Sequence, residues 1–399
     1  MKSQMKTVTI ALIGGGFAAN FHANAFSKVS GVQVQIKTLV DIDMEKANQL
    51  AKKWDIRNVT SDYEEVLKDP EIDVVDIVLP PHLHLPFAFQ ALNAGKHVIC
   101  EKPLTGYFGR EGDKEPIGMC VPKSKMYKAL LKEINEARAL IRTSNKKFLY
   151  AENYIYSPNI ARAGEMIRKK GSKILYMKGE ESIRGSTSAV AGYWSKTGGG
   201  SLIRLGCHPI SGMLWLKQQE ALVRGEAITV ESVTADIGCV TRKLKGYDKR
   251  HLTSQPVDVE DFAAVTITFS DGSKAVSLSN DNTLGGVKNY VEVYANDGAM
   301  LCNITPADNM QTYFLDQDGL DDVYLSEQLN EKLGWNKVFI AEEVLRGYRD
   351  QFQDFAECIA YDREPMSGID IAYDTIRIIY AAYVSAEEGR RIDLKEECE

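Results

Sequence analysis

Short strand patterns recur through the first hundred residues, at 8–13, 34–40, 74–79 and 97–100, with apolar or β-branched runs at 8–13 and 74–79. A strand buried on both faces reads as such a run, whereas a strand with one wet face alternates. Between these patterns lie helical stretches at 18–29, 44–54 and 86–94, the last stopped by Gly95, and a short helical turn at 63–67 after Ser61-Asp62. Buried strands separated by helices predict a doubly wound parallel sheet of the Rossmann type.

The pattern then changes. Residues 105–123 are polar and broken by Gly106, Gly109, Gly112, Pro116, Gly118 and Pro122, which predicts a loop, and an amphipathic helix over 125–144 leads to a strand at 148–151. Longer strands follow at 174–182, 228–241, 263–269, 275–279, 291–295 and 311–316, with hairpin signals at Ser270-Asp271-Gly272 and Asn296-Asp297-Gly298. Helices over 336–360 and 371–388, separated by Arg363-Glu364-Pro365, close the chain. The expected fold class is therefore α/β: a Rossmann domain over 1–150 and, over 151–399, an α+β domain with an open, largely antiparallel sheet. A chain of 399 residues is too long for one ordinary core, which agrees with two domains.

Composition narrows the function classes. A net charge of −7 supplies no basic surface for nucleic acid or anionic lipid, and no apolar run approaches the roughly 20 residues of a membrane span. The polar N-terminus runs straight into a strand and glycines, so no signal peptide is expected. The seven cysteines are scattered and never spaced C-x-x-C, which suits reduced thiols in a cytoplasm.

Candidate chemistry begins at Gly14-Gly15-Gly16-Phe17-Ala18-Ala19, a G-x-G-x-x-A run between a strand and a helix. Gly14 permits a tight turn, Gly16 lets a pyrophosphate approach the backbone, and the helix start offers free N–H groups. Asp41 ends the second strand, where a carboxylate accepts from both adenosine ribose hydroxyls and repels a 2′-phosphate, so NAD is expected over NADP. The alternative is that Asp41 caps the following helix, a task Asp43 also fits.

Pro80-Pro81-His82-Leu83-His84 follows the third strand pattern, and Gly95-Lys96-His97-Val98-Ile99-Cys100-Glu101-Lys102-Pro103-Leu104 contains an E-K-P at a strand end. Asn153-Tyr154, Ser157-Pro158, Trp194, Gly198-Gly199-Gly200-Ser201-Leu202, Gly206, His208 and the late Gly389-Arg390 complete a pattern spanning the chain. The sequence resembles the Gfo/Idh/MocA oxidoreductases (glucose–fructose oxidoreductase, inositol dehydrogenase, rhizopine catabolism). That resemblance implies oxidation or reduction at a secondary hydroxyl of a sugar or related ring. It implies Lys102 as the catalytic lysine, His208 as the acid–base histidine, and Phe17, Ala18, Pro80, His82, His84 and Glu101 along the cofactor. His82 and His84 offer no evident third metal ligand, so no metal is expected. Tyr154 and Trp194 are candidates for the sugar site, Trp194 equally for the core.

Two positions depart from the pattern. Many relatives carry aspartate four residues before the histidine, where this chain has Arg204; at helical spacing it shares a face with His208 and points at substrate. It lowers rather than raises an imidazole pKa, so it either holds a substrate oxygen or marks a degenerate site. Its R-x-G-x-H-P setting resembles members that oxidise the 3-hydroxyl of glucosides. The 105–123 loop is the second departure: Tyr107, Phe108 and Arg110 make it either an entrance lid for a bulky aglycone or a subunit contact. The expected function is NAD-dependent oxidation of a sugar or glycoside hydroxyl by a cytoplasmic homodimer or higher homo-oligomer. The alternatives are a reductase or dehydrogenase of a non-sugar diol or carbonyl, and a non-catalytic NAD- and sugar-binding sensor.

Overall fold

In a computed structural model of the protein, residues 5–305, 310–321, 323, 325, 332–339 and 341–394 are described. The chain forms two compact units: one runs to Gly106 and adds Leu130–Tyr156 and Gly347–Asp374, the other holds Tyr107–Ala129, Ser157–Arg346 and the chain from Thr375. Neither is continuous, which corrects the single boundary expected near residue 150. Helix Tyr348–Tyr361 returns to the first unit because its aromatic face packs on helix Phe17–Phe26. Tyr348 stacks on Phe21 at 5.7 Å, and Phe352 meets His22 and Phe26 edge-on at 4.5 Å.

The first unit carries a six-stranded parallel sheet of β1 (Thr7–Ile13), β2 (Gln33–Val40), β3 (Asn58–Thr60), β4 (Val74–Ile77), β5 (His97–Glu101) and β6 (Phe148–Ala151). The order is β3-β2-β1-β4-β5-β6. Strands β4 and β6 are buried at every residue, β4 including its Asp76. The order reverses between β1 and β4, where such sheets open a crevice at their strand ends. Strand β3 was not expected; three residues are too few to show a period.

In the second unit, β7 (Ile174–Ser182), β8 (Val230–Gly238), β9 (Phe262–Phe269), β10 (Lys274–Asn280), β11 (Lys288–Ala295) and β12 (Gly298–Asn303) form most of a larger sheet. Strands β13 (Met310–Phe314) and β14 (Gly334–Val338) pair separately, and β15 (Ile392–Asp393) completes the seven-stranded order β12-β11-β7-β10-β9-β8-β15. Only the β7–β10 pair is parallel, so the sheet is largely antiparallel as expected.

Helices Pro158–Lys170 and Cys207–Arg224 pack together, the latter against β7. The approach is close: a Cβ on Gly179 would lie 2.7 Å from Pro209, and one on Gly164 would lie 2.4 Å from Trp215. Strand β9 alternates fully buried with half-buried residues, and Tyr176, Val276 and Leu301 are exposed. The helix expected over 336–360 is instead β14 followed by Tyr348–Tyr361. Exposed Trp335 and Lys337 alternate with buried Asn336 and Val338, a period of two, and Gly347 at φ +83° separates the elements. Among the described residues, no helix is long and apolar enough to cross a membrane.

Candidate active site

The glycine turn is built as its residues dictate. Gly14 has φ +101°, and a Cβ there would lie 2.5 Å from the Val78 carbonyl oxygen, so another residue meets both strain and collision. Gly16 opens helix Phe17–Phe26 with no side-chain cap, and a Cβ there would meet nothing within 4 Å. The helix start is therefore left with uncapped N–H groups and open space in front of them, as a pyrophosphate requires. Phe17 is exposed and Ala18 half-buried beside this space.

Asp41 Oδ2 accepts from Gly15 N–H at 2.6 Å and Oδ1 from Asp43 N–H at 2.9 Å. Asp43, not Asp41, caps the next helix, accepting from Lys46 N–H at 3.1 Å. Each Asp41 oxygen has further acceptor capacity, so the residues fit an adenosine ribose beside the turn.

A buried charge cluster joins this helix to the E-K-P segment. His22 Nδ1 lies 2.9 Å from Asp76 Oδ2, and its Nε2 lies 2.8 Å from Glu101 Oε1. Glu101 Oε2 in turn accepts the Lys102 N–H at 2.9 Å. Burial alone would lower the His22 pKa, but the charge of Asp76 and hydrogen bonds to both carboxylates outweigh it and push the ring up to about 10. Burial pushes Asp76 up while His22 pulls it down; the ring between two carboxylates, with a donor position toward each, favours imidazolium. Burial is the largest single influence on Glu101 and raises it, but the bond to His22 together with the charges of His22, Lys102 and His84 outweighs it and holds the carboxyl below the usual range. Neither His22 nor Asp76 was singled out from the sequence. Their signals, a histidine inside an apolar helix and an aspartate inside an apolar strand run, become informative only as a pair.

The sequence predicts His84 on a loop; it lies instead in a helix. It is buried at the start of helix His84–Asn93, its Nδ1 2.8 Å from the Pro103 carbonyl and its Nε2 2.8 Å from that of Leu79. It ties the end of β4 to the E-K-P turn, and burial lowers its pKa. Pro80 and His82, immediately before it, are exposed. Tyr154 is also inside the first unit, 1% exposed in the turn Asn153–Tyr156, with its N–H on Glu152 Oε1 at 3.3 Å.

In the second unit a π-helical turn, Leu202–Gly206, precedes helix Cys207–Arg224. The wider i→i+5 turn changes the expectation that Arg204 and His208 stack at a spacing of four. Arg204 bonds Asp281, just beyond β10, through Nη2 and Oδ2. Burial pushes Asp281 up against the lowering effect of that guanidinium. Buried His208 places Nε2 3.9 Å from Glu181 Oε2 on β7. The turn is anchored by Glu260, which accepts from Gly200 N–H at 2.8 Å, Leu202 N–H at 2.9 Å and the Tyr383 hydroxyl at 2.9 Å. Its neighbours act alike: Asp258 accepts from Trp194 N–H at 2.7 Å and Gly118 N–H at 3.0 Å, and Asp261 from Val240 N–H at 2.6 Å and Thr241 N–H at 2.9 Å. The carboxylates of Asp258, Glu260 and Asp261 thus satisfy backbone donors of several loops. The sequence shows this segment as acidic, a surface signal, although all three are buried.

Residues 107–123 are partly packed into the second unit. Tyr107, Ile117 and Val121 are buried. Asp113 accepts from the Tyr107 hydroxyl at 2.5 Å, Arg110 N–H at 2.8 Å and Lys125 Nζ at 2.6 Å, which holds its carboxyl down at about 2, the Lys125 bond first. Trp194, 2% exposed, donates its indole N–H to the Tyr107 carbonyl at 3.0 Å, and Lys123 lies 4.7 Å over its ring. Trp194 thus brackets the loop, the core alternative foreseen for it.

The comparisons agree with this construction. Residues 8–109 match the NAD-binding Rossmann domain of the Gfo/Idh/MocA oxidoreductases, and residues 169–394 match that family's C-terminal α/β domain. The chain belongs to this family. As a family member it is an NAD-binding oxidoreductase. It is 27% identical to a levoglucosan dehydrogenase of Pseudarthrobacter phenanthrenivorans over 80% of each chain, and 22% identical to the uncharacterized oxidoreductase YrbE of Bacillus subtilis over 98% of this chain and 97% of that one. In fold it is similar to GenD2 of gentamicin A biosynthesis, solved with NAD, at a TM-score of 0.73 and 22% identity over 98% of each chain. It is similar also to levoglucosan dehydrogenase with NADH and levoglucosan, at a TM-score of 0.69 and 23% identity over 98% of this chain and all of that one.

Proposed function

We propose that this family member is an NAD-dependent dehydrogenase that oxidises a secondary hydroxyl of a sugar or glycoside, with the 3-hydroxyl as the first position to test. The observation that carries the NAD reading is Asp41, held by two backbone N–H groups beside an uncapped helix start. A bound nicotinamide would accept the hydride from the carbinol carbon. The Lys102 ammonium lowers the pKa of the reacting hydroxyl, and His208 takes its proton as the C–H bond breaks. Arg204, neutralised by Asp281, donates to a substrate oxygen. It is not the base, since a guanidinium stays protonated. The relative named levoglucosan dehydrogenase supports a sugar as substrate.

Two further readings accompany this one. The exposed face carrying Tyr176, Val276 and Leu301 suits sheet-to-sheet packing in a homodimer or larger homo-oligomer. Reduced thiols fit a cytoplasmic location.

Purified protein with NAD and a panel of sugars and glycosides, followed by absorbance of reduced nicotinamide and mass spectrometry of the keto product, tests the proposal. A product carrying the carbonyl at carbon 3 supports the regiochemistry. A carbonyl elsewhere removes that position, and absence of turnover across the panel removes the sugar reading.

A further inference from the structure

Beside Arg204 the second unit contains a cavity of about 480 Å³, walled by residues 186–189, 191–193, 252–257 and 259. Its walls are built rather than loose. Thr253 N–H donates to the Arg184 carbonyl at 3.0 Å, and the N–H groups of Val257 and Asp258 reach the Gly192 carbonyl at 2.9 and 3.2 Å. The two segments touch so closely that a Cβ on Gly185 would lie 2.1 Å from Ser254 N, and one on Gly192 would lie 2.2 Å from the Gln255 carbonyl oxygen. A ligand therefore meets a largely formed site and orders little chain on binding.

The chemistry of the lining selects its occupant. Arg204 and Asp281 are the charged residues of the lining, and they form an ion pair with each other, so the site is close to neutral. Asp281 is 4% exposed; its Oδ2 accepts from Arg204, while its buried Oδ1 has no hydrogen-bond partner. An ionised carboxylate can only accept, so the vacant oxygen calls for a donor such as a hydroxyl. Ser186, Ser188 and Gln255 add polar groups on the walls, and Tyr193 offers a half-exposed ring. Hydroxyls together with a weakly apolar ring face describe a sugar, whereas a carboxylate or phosphate would face Asp281 as a like charge.

We propose that this cavity is a subsite for a neutral second sugar residue, and that Asp281 is the specificity-determining group that admits hydroxyls and rejects anions. The subsite deepens the sugar-oxidation reading and rests on it. It also replaces the 107–123 loop as the element that receives the larger part of a glycoside.

The test compares methyl β-glucoside, which lacks a second sugar, with the neutral disaccharides cellobiose, maltose and sucrose and with the anionic cellobionate and maltobionate. KM is measured in turnover, and binding is measured by calorimetry in the presence of NAD. The wild type should favour at least one neutral disaccharide over methyl β-glucoside by about tenfold or more, and over its aldonate by a similar factor. Asp281→Asn should shift the disaccharide-to-aldonate ratio about tenfold towards the anion, because the like charge facing the anion is removed. Ser188→Trp, on an exposed wall, should raise KM for the favoured disaccharide about tenfold more than for methyl β-glucoside, and it covers the case in which Asp281→Asn does not fold. Equal KM for disaccharides and methyl β-glucoside overturns the subsite, and an unmoved anion ratio in folded Asp281→Asn overturns the role of Asp281. If nothing is oxidised but Ser188→Trp abolishes the calorimetric signal of a disaccharide, the oxidation reading fails and the subsite stands. If no disaccharide binds, the subsite falls.

Discussion

Replacing His22 by leucine removes the cation held between Asp76 and Glu101, both in contact with its ring nitrogens at 2.9 and 2.8 Å. Removing one partner of a buried ion pair costs about 3–5 kcal/mol, because the remaining charge keeps its desolvation penalty. At about 2–4 °C per kcal/mol, the melting temperature of the first unit should fall by roughly 6–20 °C. A second route to the magnitude uses pH. The ring rises from 6.5 to about 10 on folding. At about 1.4 kcal/mol per pKa unit, the linked stabilisation reaches about 5 kcal/mol at most. For a group whose pKa is raised by folding, that stabilisation is complete below the unfolded value and is lost as pH rises through the folded one. The gap between wild type and His22→Leu should therefore be widest near pH 6 and close by about pH 10. The other groups facing the ring are Asp76, which burial pushes up against the pull of His22, Glu101, which is held below the usual carboxylate range, and Phe352, which does not titrate. Differential scanning calorimetry from pH 6 to pH 10 reads both the gap and its slope. A variant that melts with the wild type, or a gap independent of pH across that window, would refute an imidazolium at His22. Turnover should fall as well, since Glu101 also holds the Lys102 N–H.

Three other outcomes are expected. Asp41→Ala should narrow the preference for NAD over NADP by about 10–100-fold in Kd ratio, the worth of a charged hydrogen bond of about 1.5–3 kcal/mol, as measured by fluorescence titration with both nucleotides. Lys102→Ala and His208→Ala should each lower kcat by about 10²–10⁴ with NAD affinity retained, and near-normal steady-state turnover in either variant removes that residue from the mechanism. Val276→Arg, on the exposed sheet face, should convert the oligomer to monomer by multi-angle light scattering, and a monomeric wild type defeats the sheet-packing reading.

Much of the nucleotide half was legible because its requirements are local. Gly14 needs a left-handed backbone, the helix start needs no cap, and Asp41 needs the end of a strand, all of which follow from neighbours along the chain. E-K-P was legible in the same way. His84 and Trp194 were recognised as notable, yet their partners, Leu79, Pro103 and Tyr107, were not available to a reading by motif. The packing of the 107–123 segment was not legible, because its glycines and aromatics leave no mark of Asp113, Asp258 and Trp194 gathering around them.

By itself, the sequence determined the two sheet types, the parallel order of buried runs with their intervening helices, the dinucleotide turn and the family. Those features rest on periodicity and on conformations set within a few residues. The tertiary structure alone decided that helix Tyr348–Tyr361 belongs with the first sheet, that His22 lies between two carboxylates, and that Arg204 is neutralised by a residue 77 positions away. A charge's partner depends on which strand ends are brought together in space, and the cost of burying it unpaired makes that partner obligatory without leaving a local mark.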